Sequence, residues 1–434
     1  MRKQLTTAVV VLFVFFMMSF RFDLRSTNIR TIHKFSVVST GEPRRNANES
    51  IVSTVSRPPA DLWTTKFGLD RYVNQCAART ITIAQSVGGS CYANCFVFAE
   101  IGKEQGCPCS CRFIETDLNS DQAKKADAVV QFFFTSWDGN AASVRPPSFP
   151  QDQIRVLFIG ESQAHYSALL NPRYTRLYNF SIGMHLHADL VNPTPEKFVP
   201  HLFASIQLQP GRKPVKTRVQ KLSQPWISAW MSNCGGPNRR FEILKAITDQ
   251  GISLASYGGC LHNAEPDVSM AACLFKGGCP DWAIAGGSFA DKYAQKVLSM
   301  SKHMFVFAAE NSDCPWYHTE KLWHSLASGS IPVYLGATTV SQIVPTGSMI
   351  EVRNFTTASG LANFMRRVAA EQDLYDSFHA WRQRPIEPHL QHFVDERQRT
   401  LRGGTDCDIC IAASARVPLT QPESPNCLPP HKLG

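Results

Sequence analysis

The chain has 434 residues, of which 44% are apolar and 18% charged, with a formal net charge of +9. That length suits two or three domains, and the composition is globular and excludes an intrinsically disordered chain. The basic residues are scattered, with no Lys/Arg block of the kind nucleic-acid arms carry. The charge therefore points to an anionic ligand or a membrane-side location, and no nucleic acid is expected as a partner.

In chain order, MRKQ (1–4) leads into LTTAVVVLFVFFMMSF (5–20), which is free of charge until Arg21. Those 16 positions make roughly 24 Å of helix, tolerable in the thinner membranes of the early secretory route. A cleaved signal peptide has an apolar region of similar length, but no small-residue cleavage site follows. The favoured reading is an uncleaved signal anchor with residues 1–4 as a cytosolic tail, held there by Arg2 and Lys3. Residues 21–75 are polar and broken by turn formers, a stem. Residues 76–111 hold Cys76, Cys91, Cys95, Cys107, Cys109 and Cys111 and read as a small disulfide-stapled segment. Most of the 14 cysteines should pair on a secretory route, and that oxidising compartment disfavours zinc. Sequons at Asn48, Asn179 and Asn354 agree with a lumenal body.

Beyond residue 111 short apolar runs alternate with helical periods. The runs are ADAVVQFFF (126–134), IRVLFIG (154–160), YNFSIGMHL (178–186), WISAWMS (226–232), HMFVFAA (303–309), IPVYL (331–335) and MIEV (349–352). NRRFEILKAITDQ and FADKYAQKVLSM are helical, the second with Lys292 and Lys296 off its apolar stripe. The pattern predicts an α/β fold of parallel sheets covered on both faces. We divide it into an N-terminal α/β domain (112–222), a C-terminal α/β domain (223–385) and a C-terminal tail (386–434).

Three stretches carry chemistry. In ENSDCPWYHTEKLWHSLASG (310–329), a buried strand hands over to a helix through a polar loop. Free N–H groups at a helix start, the helix dipole and Lys321 together describe a phosphate pocket. Asn311 and Glu320 are of the type that fixes sugar hydroxyls. The competing reading is that Asn311, Thr319 and Glu320 only cap the helix. In SNCGGPNRRF (232–241), Arg239 and Arg240 open a helix, where paired cations conflict with the dipole unless an anion compensates them. Two solvated surface arginines are the alternative. In VLFIGES (156–162), a strand delivers Glu161 to a loop, where a carboxylate can act as general base. Asp406-Cys407-Asp408 matches a D-x-D metal pattern but sits in a Gly-rich tail, and we read it as coincidental. No metal ligands are assigned.

AAENS–DCPWYHTEKLWHSLASGSIPVYLG resembles the signature of the α1,3-fucosyltransferases of glycosyltransferase family ten. SNCGGPNRRF, SYGGCLHN (256–263), GES before YNFSIGMH and the C-x-x-C at Cys407–Cys410 look most like the subgroup acting on the N-glycan core in plants and invertebrates. The resemblance runs from about residue 107 to 413. It implies two Rossmann-like domains facing a cleft (GT-B type), GDP-fucose as donor, and inverting transfer to O3 of the innermost GlcNAc of an N-glycosylated glycoprotein. It also implies no essential cofactor, with a divalent cation at most stimulatory, and a single-pass type II Golgi membrane protein with a lumenal catalytic part. Donor contacts map onto Arg240, with Arg239 adjacent, and onto Glu310, Asn311, Ser312, Tyr317, Thr319, Glu320 and Lys321; the base maps onto Glu161. The chain departs from the pattern at Trp316, where an Asp precedes the Tyr, at Ala309, where an aromatic precedes the Glu, and at CLFKGGCPDWAIAGG (273–287), which looks inserted. The alternatives are transfer to antennary N-acetyllactosamine and a family member that binds glycans without turnover.

Overall fold

The computed structural model describes residues 69–86, 100–132, 149–159, 161–166, 169, 171–183, 190–191, 217–266, 295–391, 393, 395, 404–417 and 427–434. The cytosolic tail, the anchor, most of the stem, Asn48, Cys91, Cys95, Cys273, Cys279 and the segment 273–287 lie outside these. Among the described residues no helix is long and apolar enough to cross a membrane, and no group of three or more His, Cys, Asp or Glu could hold a metal ion.

Two all-parallel sheets organise the described residues. The first comprises β1 (Ile81–Ser86), β2 (Cys111–Thr116), β3 (Ala128–Phe132), β4 (Ile154–Phe158), β5 (Phe180–Gly183) and β6 (Leu190–Val191), in the order β2-β1-β3-β4-β5-β6. The second comprises β7 (Ile227–Ala229), β8 (Leu254–Ser256), β9 (Phe305–Ala309), β10 (Ile331–Leu335) and β11 (Ile350–Glu351), in the order β11-β10-β9-β7-β8. All seven apolar runs read from the sequence become strands. β3, β9 and β10 are buried along their whole length, which is why they read as continuous apolar runs instead of alternating ones.

Helices among the described residues include α1 (Arg218–Leu222), α2 (Arg240–Asp249), α3 (Glu320–Ser328), α4 (Ala358–Ala370), α5 (Gln372–Ser377) and α6 (Gly404–Ser414). Successive side chains of β9 point to opposite faces. Phe305 and Phe307 join Leu244 and Ile247 of α2 and Leu361, Met365 and Val368 of α4 in one core. Ala308 faces the other way and packs with Leu322, Trp323 and Leu326 of α3. The central strand is thus clamped between helices, and its carboxyl end is held in place from both sides.

The Cys-rich segment departs from the expectation of a self-contained stapled module. It supplies β1, an interior strand of the first sheet. Cys76 pairs with Cys109, whereas Cys107 and Cys111 reach Cys407 and Cys410 of α6. The physical reason lies in α6, whose Cys407, Ile409, Cys410 and Ile411 are fully buried in the core of the first sheet. The tail therefore returns to the first half of the molecule. Asp406 to Asp408 lie on this disulfide-bonded helix and form part of no metal-binding group among the described residues.

Candidate functional site

The site is built where the carboxyl ends of β4 and β9 meet. Glu310 follows β9 directly, and its amide donates to Leu335 O at 2.8 Å, so the β9–β10 ladder runs one residue past the strand. Its carboxylate is fully buried and accepts from the Thr319 amide and the Thr319 hydroxyl, both at 2.7 Å. Gly336, next to Leu335, makes room for it: a Cβ there would lie 2.8 Å from Glu310 Cγ and 2.5 Å from the Tyr334 hydroxyl.

Thr319 is the N-cap of α3, its hydroxyl accepting from the Lys321 amide at 3.4 Å, and Gly329 closes the helix in the left-handed conformation (φ 72°). Behind it, Lys221 Nζ donates to Gly329 O at 2.6 Å and Arg382 donates to Leu326 O. Cations at a helix carboxyl end complement its dipole. At the opposite end the anion facing the dipole is Glu310 itself. The capping reading holds for Thr319, and Glu310 serves the helix with it, whereas Glu320 and Lys321 lie in its first turn.

Glu320 is gripped by Lys296 Nζ at 3.1 Å, with Lys321 Nζ at 3.7 Å, and Lys321 Nζ also lies 3.6 Å from Glu310. Burial alone would raise the Glu320 carboxyl, but Lys321 and Lys296 outweigh it and hold the group well below the usual carboxylate range. Burial opposes the charge on Lys321, yet Glu320 and Glu310 overcome it and raise the ammonium above its ordinary value. Burial pushes the Glu310 carboxyl up, against Lys321 and the Thr319 donors.

The two expected arginines part company. Arg239, itself in the left-handed region (φ 58°), pairs outward with Glu242. Arg240 turns inward: Nη1 donates to Ala309 O at 3.1 Å, Nη2 to Asn233 O at 2.8 Å, and Nε is buried with no hydrogen-bond partner among the described residues. Burial lowers its pKa against the attraction of Glu310, Tyr317, Glu161 and Glu320. The dipole conflict of a basic helix start is thereby met differently at each residue, by a neighbouring carboxylate for Arg239 and by the carbonyls of Ala309 and Asn233 for Arg240.

From the other sheet, Glu161 arrives half-buried three residues after β4. Its Oε2 accepts from the Tyr317 hydroxyl at 2.7 Å and from Asn311 Nδ2 at 2.9 Å; among the described residues Oε1 accepts nothing. Burial and the Glu161 charge raise Tyr317 well above an ordinary phenol, so it stays a donor. Ser312 donates to Asn311 Oδ1 at 2.7 Å and contacts Ser162. Glu161-Ser162 and Asn311-Ser312 therefore meet as paired dipeptides across the two sheets.

Two participants escaped the sequence reading. Lys296, expected off the apolar stripe, is buried against Glu320; a lone lysine in a helical period carries no signal for that. Asn238 is 2% exposed and donates from Nδ2 to Glu310 O and to Asp313 Oδ1, both at 2.9 Å, clasping the polar loop. Its only signal was a turn-forming Pro-Asn. With Lys296 included, the basic groups of Arg240, Lys296 and Lys321 are gathered with the carboxyls of Glu161, Glu310 and Glu320. Trp316 takes the left-handed conformation (φ 65°), and its amide donates to Thr339 Oγ1 at 2.8 Å.

Residues 221–421 match the family model Glycosyltransferase family 10 (fucosyltransferase) C-term. An Alpha-(1,4)-fucosyltransferase of Arabidopsis thaliana is 33% identical over 153 residues, 35% of this chain and 36% of that protein. The human GDP-fucose protein O-fucosyltransferase 3 is 25% identical over 253 residues, 58% of this chain and 49% of that protein. The chain thus spans about a third to a half of the length of these curated relatives. A crystal structure of an alpha1,3-fucosyltransferase with GDP-fucose superposes with a TM-score of 0.47 at 14% identity, covering 77% of this chain and 96% of that one. Residues 221–421 are thus similar to the C-terminal part of glycosyltransferase family 10, the fucosyltransferases.

Proposed function

We propose that the chain is an inverting fucosyltransferase that moves L-fucose from GDP-fucose to O3 of the innermost, Asn-linked GlcNAc of N-glycans. Its two α/β halves act as Rossmann-like lobes, the second holding the nucleotide. The observation that carries the reading is Glu161, whose Oε2 is fixed by Tyr317 and Asn311 of the other sheet while Oε1 accepts nothing among the described residues. A carboxylate held by one oxygen, with the other open, is arranged as a general base.

Glu161 takes the proton from the acceptor hydroxyl as its oxygen attacks the anomeric carbon, on the face opposite the leaving GDP. Negative charge then builds on the diphosphate. Arg240, whose Nε has no partner among the described residues, and Lys321 stabilise that charge as it develops. Glu320, pinned between Lys296 and Lys321, offers its carboxylate to a sugar hydroxyl. Protein cations fill the charge-stabilising role. The anchor at 5–20 would hold this body in the Golgi lumen.

The test is incubation of the purified chain with GDP-fucose and three separate acceptors: a core N-glycopeptide, antennary N-acetyllactosamine and a folded protein domain bearing Ser/Thr. Linkage analysis should place fucose on O3 of the core GlcNAc. Transfer only to the antenna or to protein hydroxyls would reject the core assignment; no transfer at all, with GDP still bound, would leave a binding protein.

A further inference from the structure

Residues 427–434 are fastened along the back of the polar loop by contacts that neither the proposed chemistry nor the helix caps require. Cys427 is disulfide-bonded to Cys314, and the Leu428 amide donates to Asp313 O at 2.9 Å. Arg353 pairs with the Asp313 carboxylate and donates to Pro429 O at 3.4 Å. Further along, the Gly434 amide donates to Thr356 O at 2.9 Å and Gly434 O accepts from the Ala358 amide at 3.2 Å. The segment is thus tied at both ends to the second sheet's surroundings.

Where the tie meets the site matters most. Cys314 and Tyr317 form a buried apolar cluster, and Cys427 and Ala164 pack against it. Tyr317 is the residue whose hydroxyl holds Glu161, and Ala164 lies three residues beyond Glu161 in the same loop. The bridge therefore backs the ring that makes the contact between the two halves. The loop from 311 to 318 contains no helix or strand of its own, and Trp316 within it takes a left-handed conformation. Its geometry must be set by what it is tied to.

We propose that residues 427–434 are a strap that seats Tyr317 against Glu161, a positioning element that acts on transfer through Tyr317. Its turnover readout rests on the fucosyltransferase reading, whereas its structural readout does not. A strap of this kind predicts a loss in kcat larger than the change in donor affinity, because Arg240 and Lys321 sit outside the tied loop.

The experiment compares four full-length chains: wild type, Cys314→Ser/Cys427→Ser, Tyr317→Phe, and the triple variant. Removing both cysteines avoids leaving a reactive thiol. In the wild-type background, loss of the bridge should lower kcat about tenfold or more and change the donor KM less than about threefold. In the Tyr317→Phe background it should lower kcat by less than about twofold, since coupled residues fail to add. Equal losses in both backgrounds, or no loss in either, would overturn the proposal. Should the wild type transfer nothing to any acceptor, the transfer reading fails, and hydrogen exchange decides the strap independently. Faster exchange confined to 161–166 and 310–319 in the double-cysteine variant supports it; unchanged exchange there, or loosening throughout the second sheet, overturns it. A double variant that does not fold is replaced by Leu428→Pro, which removes the amide bond to Asp313 O and leaves the disulfide in place, with the same readouts.

Discussion

Replacing Glu310 separates helix anchoring from nucleotide binding. The carboxylate is fully buried, accepts two hydrogen bonds at 2.7 Å from Thr319 and lies 3.6 Å from Lys321 Nζ. Glu310→Ala leaves the Thr319 amide and hydroxyl without their acceptor and strips a nearby counter-ion from Lys321. Breaking a buried charged pair by removing one partner costs about 3–5 kcal/mol. At roughly 2–4 °C per kcal/mol for a large domain, the melting temperature should fall by roughly 6–20 °C. Glu310→Gln keeps one carbonyl acceptor and should cost about 1–2 kcal/mol, close to the net value of one hydrogen bond. Lys321, freed from Glu310, becomes more available to a diphosphate, so GDP affinity of the Gln variant should equal or exceed that of the wild type. Differential scanning fluorimetry and titration calorimetry read the two effects. An Ala variant that melts like wild type would refute the anchoring argument. A folded Gln variant with sharply weaker GDP binding would show that Glu310 touches the ligand.

Two further outcomes follow from burial in the same region. Burial chiefly, with Lys296 adding to it, pushes the pKa of His324 from 6.5 down to about 3. The folded state keeps the ring neutral while the unfolded chain protonates it, so this stability is fully present above pH 6.5 and lost as pH falls toward 3. The slope is up to about 1.4 kcal/mol per pH unit; melting curves across that range should flatten in His324→Leu, and an unaltered slope would remove His324 as the source. Gly336→Ala would drive a methyl into the Tyr334 hydroxyl and Glu310 Cγ, an overpacking cost of about 1–3 kcal/mol. The variant should melt lower than wild type; equal melting would show that the pocket beside β10 yields freely.

The second sheet was largely legible because its strands are buried on both faces and leave continuous apolar runs, each ending in a turn or cap signal. β9, the polar loop and α3 with its Gly329 stop could be placed from residue types alone. The short strands were not: LAS of β8 is three residues long, too brief for a period, and ITIAQS of β1 lay in a segment whose cysteines drew attention from its strand pattern. Disulfide partners were illegible because pairing reports the spatial return of α6, and spacing along the chain does not encode that. At the site, residue types announced Glu161, Arg240 and Lys321, whereas Lys296 and Asn238 act through burial that composition does not reveal. The carboxylates that accompany Arg240 and Lys321 were hidden for the same reason. Two of the carboxylates in the motif, Glu310 and Glu320, turn inward beside the lysines instead of outward to solvent.

The account stands on Glu161 reaching across to Asn311 and Tyr317 as the base of the transfer. The most direct measurement is turnover and GDP affinity of Glu161→Gln, which keeps an oxygen for both hydrogen bonds and removes the basicity. The account predicts a fall in kcat of about 10²–10⁴-fold with GDP affinity within about threefold of wild type. Wild-type turnover in the folded variant would contradict it.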